Sequence, residues 1–336
     1  MSSKPTAEEI ALSARWLAQA LDPARGVVRL VAMDRESYRS ASFLDDRLMQ
    51  LPVDAQIITW PEIEAAVAGN LRTDARWIFH IGHVGSTLAA RLLGEIDGVL
   101  AIREPRLLRD VAMAPQEVRP RYIAPVPKLM SRTFSSQEVA CVKATSFASE
   151  IAPQLVPRGE RALFMYARPR NYVCTILAGE NSLKELRALE QYRTERLVAR
   201  GIAFPPLGND AERASAAWAC EMTALEAAAG TMTDSLVMWC DFDAMLGALP
   251  KQLRDIAAFF GFEVTEASIE EIANGPLMRR YSKDLSYEYS PNLRQQLIDQ
   301  ELRLQGTQID TALAMLARAA EKSPLLSQAL SRAEGM

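Results

Sequence analysis

Five short apolar runs, Trp77 to Ile81, Val99 to Ile102, Val139 to Val142, Ala162 to Tyr166 and Leu236 to Trp239, alternate with helical stretches through the middle of the chain. Runs this short, bounded by turn residues, are read as strands. Strands separated by helices rejoin a sheet by crossover connections, so the alternation predicts a mainly parallel sheet wrapped by helices. Two of the intervening stretches, 183 to 200 and 211 to 229, are rich in alanine and charged residues and are read as long helices.

The first run also bears most directly on chemistry. It passes from Trp77-Ile-Phe through His80-Ile-Gly-His-Val-Gly85 into Ser86-Thr-Leu-Ala-Ala-Arg-Leu-Leu, so a strand enters a turn with Gly82 and Gly85 and leaves as a helix whose first turn carries Ser86 and Thr87. Amides at the start of such a helix have no partner within it and lie at the positive end of its dipole, which makes the turn a cradle for an anion. The same segment holds both histidines of the chain, His80 and His83. Glycine turns of this kind also join strand to helix where no ligand binds, so the other strand ends matter.

In an open parallel sheet, ligands bind in the crevice at the carboxyl ends of the strands. Here the second strand ends Arg103-Glu104-Pro105, the third Lys143-Ala-Thr145-Ser146, the fourth Arg168-Pro-Arg170 and the fifth Asp241-Phe-Asp243. One rim thus gathers an anion cradle, a carboxylate, a lysine and two arginines. That set suits phosphoryl or sulfuryl transfer, where catalysis is mostly positioning and charge stabilisation. Taken singly each has a plainer account: Glu104 could pair with Arg103 or Arg106, Lys143 could be solvated, Trp218 reads as core on its helix, and His80 as an uncharged, satisfied ring. Their convergence on one rim favours the functional reading.

The flanks are less specific. Thr6-Ala-Glu-Glu reads as a capping box opening a helix through about Leu21. Val27 to Met33 reads as a strand, and Asp34-Arg-Glu-Ser-Tyr and Pro61 to Ala68 as short helices, giving a mixed N-terminal extension over residues 1–70. The core is expected over 71–270. Beyond Phe262 the chain reads as helical, with a helix start near 291, so 271–336 is a helical C-terminal region packing on the core. No run approaches the roughly 18 to 20 apolar residues needed to span a bilayer, and the first residues lack a signal peptide's apolar stretch, so a cytoplasmic protein is expected. Cys141, Cys174, Cys220 and Cys240 lack metal or disulfide spacing and sit in apolar surroundings. A net charge of −4 gives no general attraction to nucleic acid.

The run His83-Val-Gly-Ser-Thr-Leu resembles the sulfotransferase superfamily when taken with Glu104, seventeen residues after Thr87, Lys143 in a Val-Lys-x-x-Ser context, and Ala162-Leu-Phe-Met-Tyr-Ala-Arg-Pro-Arg-Asn-Tyr-Val-Cys-Thr175. The nearest pattern is the branch that includes the tyrosylprotein sulfotransferases. The resemblance spans roughly residues 75 to 285 and continues through Trp218, Leu236-Val-Met-Trp-Cys-Asp-Phe-Asp, Leu253 and Phe259-Phe-Gly-Phe. It implies a three-layer, P-loop-like α/β fold and transfer of a sulfuryl group from 3′-phosphoadenosine 5′-phosphosulfate (PAPS) to an acceptor hydroxyl, with 3′-phosphoadenosine 5′-phosphate (PAP) as product and no metal. By that resemblance His83, Val84, Gly85, Ser86 and Thr87 hold the 5′-phosphosulfate end. Arg168 or Arg170, with Thr175, holds the 3′-phosphate. Glu104 acts as base, Lys143 offsets charge on the bridging oxygen, and His83 stands by the reacting group.

The pattern departs from the family in three places. His83 stands where the family loop begins with Lys or Arg. Arg168 precedes Thr175 by seven residues, one fewer than the family spacing. The C-terminal glycine-rich segment has no counterpart beyond Arg279-Arg-Tyr-Ser-Lys283, which makes Lys283 a donor ligand candidate. Other classes remain open. His80-Ile-Gly-His83 spells the HIGH signature of nucleotidyltransferases, with Lys128-Leu-Met-Ser-Arg a faint echo of the partner loop. A kinase is a further class, although the loop has no Gly-Lys-[Ser/Thr]. A non-catalytic binding module is the third.

Overall fold

The structure, a computed structural model, describes residues 4–279 and 291–335. At the N-terminus the expected capping box forms: the Glu9 amide donates to Thr6 Oγ1 and the Thr6 amide to the Glu9 carboxylate, at 3.2 and 2.8 Å. The helix it opens, α1 (Ala7–Leu12), does not run to Leu21. Trp16–Asp22 is instead strand β1, pairing antiparallel with β2 (Val27–Ala32), which pairs with β3 (Ala55–Thr59). Composition suits a helix here, but the hairpin turn decides otherwise. The Asp22 side chain accepts from the amides of Ala24 and Arg25, and Gly26 takes φ 61°, so the chain folds back onto the β-branched Val27–Ala32 segment. Helices α2 (Arg35–Ser40) and α3 (Trp60–Ala66) complete this region.

All five expected core strands are present: β4 (Arg76–His80), β5 (Val99–Arg103), β6 (Val139–Lys143), β7 (Arg161–Tyr166) and β8 (Leu236–Asp241). They form one parallel sheet in the order β5-β6-β4-β7-β8. The central strand explains the unbroken apolar runs: Trp77, Ile78 and Phe79 on β4 are all fully buried, as both faces of a helix-covered sheet demand.

After β4 come α4 (Ser86–Leu93), then α5 (Arg106–Met113), α6 (Arg119–Ile123), α7 (Val126–Met130) and α8 (Ala152–Leu155). After β7 come α9 (Pro169–Leu177), α10 (Glu180–Ala188), α11 (Glu190–Ala199) and α12 (Asp210–Thr231). The stretch expected as one helix over 183 to 200 is thus two, divided at Leu189 with φ −101° and ψ 4°. After β8 come α13 (Phe242–Gly247), α14 (Leu249–Phe260), α15 (Glu266–Asn274), α16 (Pro291–Ala320) and α17 (Pro324–Glu334).

The winding fixes the layers. From β4 the chain crosses toward the β5 edge, and from β7 it crosses toward β8, so right-handed crossovers place α4 and α12 on opposite faces. Helix α14 packs with α4, and α9, α16 and α17 pack with α12. The direction of winding changes at β4, and its carboxyl end is where such a sheet opens a crevice. Trp218 on α12 is core, its Nε1 donating to the Ala167 carbonyl at 2.9 Å. All four cysteines are buried free thiols. Among the described residues, no helix is long and apolar enough to cross a membrane.

Candidate active site

The turn after β4 is built from left-handed residues. Gly82, His83 and Gly85 have φ of 80°, 54° and 62°, left-handed conformations of the kind from which anion-binding backbone concavities are made. A Cβ on Gly82 would meet open space, whereas one on Gly85 would stand 1.9 Å from Phe242 Cε2. Gly85 is therefore required twice, by its φ and by the ring packed on it. Val84 is buried and offers only its backbone. Ser86 and Thr87 are buried in the first turn of α4, and Thr87 Oγ1 has no hydrogen-bond partner. The His83 ring faces α10, with Nδ1 3.3 Å from Ser182 Oγ and Nε2 3.8 Å from Glu185 Oε2.

Glu104 and Lys143 meet at the ends of adjacent strands. The Glu104 amide donates to the Lys143 carbonyl at 2.8 Å, and the Lys143 ammonium bonds the Glu104 carboxylate. Lys143 is 1% exposed, with its Nζ 5.4 Å from the centroid of the Phe43 ring. The expected alternatives are spent elsewhere: Arg103 donates to the Ala41 carbonyl, and Arg106 pairs with Asp46 and Asp110. Glu104 also has φ 51°, and with His83 it is one of two described non-glycine residues in the left-handed region. Such strain is held only where the surroundings impose it, and it gathers at functional sites.

His80 joins the loop to this pair. Its Nδ1 accepts from the Gly82 amide at 2.9 Å, so Nε2 carries the proton and donates to the Ala144 carbonyl, also at 2.9 Å. The same Nε2 stands 3.5 Å from Glu104 Oε1. Burial, with the Lys143 charge adding to it, holds the imidazole below its usual 6.5 and therefore neutral. Burial favours a protonated Glu104, but the Lys143 ammonium and the His80 N–H outweigh it and hold the carboxyl well below the usual carboxylate range. His80 was read from the sequence as a satisfied ring outside the site, because its nearness to Glu104 depends on the β5-β6-β4 order.

The remaining candidates lie around β7 and β8. Arg168, at the end of β7, has Nε 3.4 Å from Asp241 Oδ2, while Arg170 is turned to Asp310 on α16 at 2.8 Å. Thr175 Oγ1 donates to the Asn171 carbonyl at 2.7 Å and accepts from Arg294 Nη1 at 2.9 Å. Lys283 lies outside the described residues. Arg294 was not legible in the sequence: it sits in the first turns of α16, 119 residues from Thr175, with no motif around it. Among the described residues, no group of three or more His, Cys, Asp or Glu is arranged to hold a metal.

No protein-family model and no curated protein matches the chain. Among solved structures it is similar to a sulfotransferase domain from the curacin biosynthetic pathway, with 11% identity over 69% of this chain and 91% of that one, at a TM-score of 0.41. It is also similar to the mouse sulfotransferase SULT7A1 complexed with PAP, with 12% identity over 78% of this chain and 90% of that one, at a TM-score of 0.40. A third likeness is to a sulfotransferase domain from the Synechococcus PCC 7002 olefin synthase, with 12% identity over 67% and 93% of the two chains and a TM-score of 0.37.

Proposed function

We propose that the protein is a sulfotransferase that moves a sulfuryl group from PAPS to an acceptor hydroxyl. The observation that carries this reading is His80, which hydrogen-bonds the anion loop through one ring nitrogen and stands 3.5 Å from Glu104 through the other. An anion cradle and a charged proton-handling pair therefore share one short span of rim. The cradle also suits an anion on its own terms: its loop is built from left-handed residues, and the buried Thr87 hydroxyl has a donor to give.

Bound there, PAPS would supply a sulfuryl group on a good phosphate leaving group. The amides of Gly85, Ser86 and Thr87, with the α4 dipole behind them, hold its 5′ end. Arg168 and Thr175 are the candidates for the 3′-phosphate, since a guanidinium can bond two phosphate oxygens at once. With an anion in the cradle, Lys143 would be shared between it and Glu104. Drawn toward the anion, it offsets negative charge there and leaves the Glu104 carboxylate with less counter-charge, hence a stronger acceptor for the hydroxyl proton. The neutral His80 holds the loop and the carboxylate in register.

The nucleotidyltransferase reading finds no support at its second motif, because Lys128 Nζ donates to the carbonyls of Val67 and Gly69, both at 2.8 Å. Calorimetric titration with PAP, ATP and AMP tests the proposal. PAP is expected to bind most tightly, and binding of ATP alone would sink it. Glu104→Gln should then keep PAP affinity and lower turnover on hydroxyl acceptors about 100-fold or more, as expected for loss of a general base. Undiminished turnover would remove Glu104 from that role.

A further inference from the structure

The N-terminal region meets the rim through residues 38–44, which are held at the end of β5 by two buried arginines of the core. Arg103 donates to the carbonyls of Tyr38, Arg39 and Ala41, and Arg91 Nη2 donates to Ser42 Oγ at 2.7 Å. The Leu44 amide donates to the Arg103 carbonyl at 2.8 Å, and the Leu44 carbonyl accepts from Gln19 Nε2 at 3.1 Å. Phe43 is thus fixed from both sides, by Ser42 before it and by Leu44 after it. Arg103, which does much of this holding, is also the residue that precedes Glu104.

What the anchoring presents to the site is the Phe43 ring. It is 7% exposed, and its centroid lies 5.4 Å from Lys143 Nζ and 3.4 Å from Arg47 Cζ, with the Arg47 guanidinium paired to Asp45. An ammonium taken out of water loses its hydration, and the negative face of an aromatic ring restores part of that loss. An aliphatic side chain would fill the space and restore none of it. Lys143 carries its charge on a flexible four-carbon stem, so where the charge sits depends on what it faces.

We propose that Phe43 is a positioning residue for Lys143, its ring fixing where the ammonium sits beside Glu104. The consequence for turnover rests on the sulfotransferase reading. The inference extends that reading by giving the N-terminal region a part in a site that the sequence pattern confined to roughly residues 75 to 285. A lysine already in place when charge develops on the bridging oxygen needs no reorganisation at that moment.

Two measurements on the full-length protein test this: PAP release from PAPS with water as the acceptor, and an NMR spectrum of lysine ammonium groups labelled with a heavy nitrogen isotope. Phe43→Leu is expected to lower kcat about 10-fold, the worth of a desolvated cation–π contact, with KM for PAPS unchanged. Phe43→Tyr keeps the ring and should restore it. The Lys143 signal, identified by its loss in Lys143→Met, should shift in Phe43→Leu and return in Phe43→Tyr. That of Lys128, which donates to the Val67 and Gly69 carbonyls, should stay in place. Should Phe43→Leu fail to melt cooperatively, Phe43→Met decides, because it keeps the bulk without the ring. Either a kcat or a Lys143 signal left unchanged in a folded variant without the ring overturns the proposal, and so does a Phe43→Tyr that falls with it. Where release to water is too slow to detect, the Lys143 signal decides alone. A wild-type protein that binds PAP no better than AMP overturns the sulfotransferase reading instead, and the same signal still decides whether Phe43 holds Lys143.

Discussion

At the ends of β5, β6 and β4, Glu104, Lys143 and His80 satisfy one another; at the start of α4 and beside the β7-β8 end, Thr87 and Arg294 keep buried donors without partners. Both halves sit at the ends of parallel strands and both bury charge. The first is electrically closed, and the second has surplus hydrogen-bond donors. A charge-balanced cluster attracts an anion less than unpaired donors do, whereas surplus buried donors are useful to something that accepts. The proposed chemistry would use the first side for proton handling and the second for anion capture.

The sharpest way to break this comparison is to open the closed side. Lys143→Met leaves the Glu104 carboxylate without its nearest cation and should cost about 3 kcal/mol, the lower end for a broken buried pair because Glu104 reaches the rim. Urea unfolding measures it, and a loss below about 1 kcal/mol would mean the pair is not closed. Gly85→Ala tests the joint between the halves. With φ at 62° and Phe242 where the new Cβ would go, it should destabilise by about 2 kcal/mol and weaken PAP binding. A neutral change in the melting temperature would count against the loop geometry.

Acid sharpens the contrast. Folded His80 is held below 6.5 and folded Glu104 below 4.5, so in each case the unfolded chain takes up the proton first. Stability should therefore fall as pH drops below about 6.5 and fall again below about 4.5, the second loss ending only where folded Glu104 protonates. His80→Asn should abolish the first stage and leave the second, read from unfolding free energies across pH. The smallest effect belongs to Arg170→Ala. Its pair with Asp310 is exposed, so stability should move by less than about 0.5 kcal/mol with PAP affinity unchanged. A large loss of affinity would bring Arg170 into the anion side.

How much of this the sequence carried depended on range. The five core strands were legible because burial on both faces writes a continuous apolar run, and Glu104 and Lys143 were legible as the polar residues that end such runs. Trp16–Asp22 was misread because its residues suit a helix and only pairing with β2 makes it a strand. β3 was not read at all; Gln56 and Thr59 break up its apolar signal. His80 and Arg294 escaped for another reason. What gives them a role is the company they keep across 24 and 119 residues of chain, and no local pattern encodes that.

His83 and Glu104, the two described non-glycine residues in the left-handed region, differ in what would happen under selection for heat resistance alone. At 83 a glycine relaxes the backbone, by about 1 kcal/mol, at the expense of the ring's contacts, those with Ser182 and Glu185 at 3.3 and 3.8 Å among them. At 104 the same exchange strands Lys143 in the interior. A population screened only for thermal survival should therefore accept glycine at 83 far more readily than at 104.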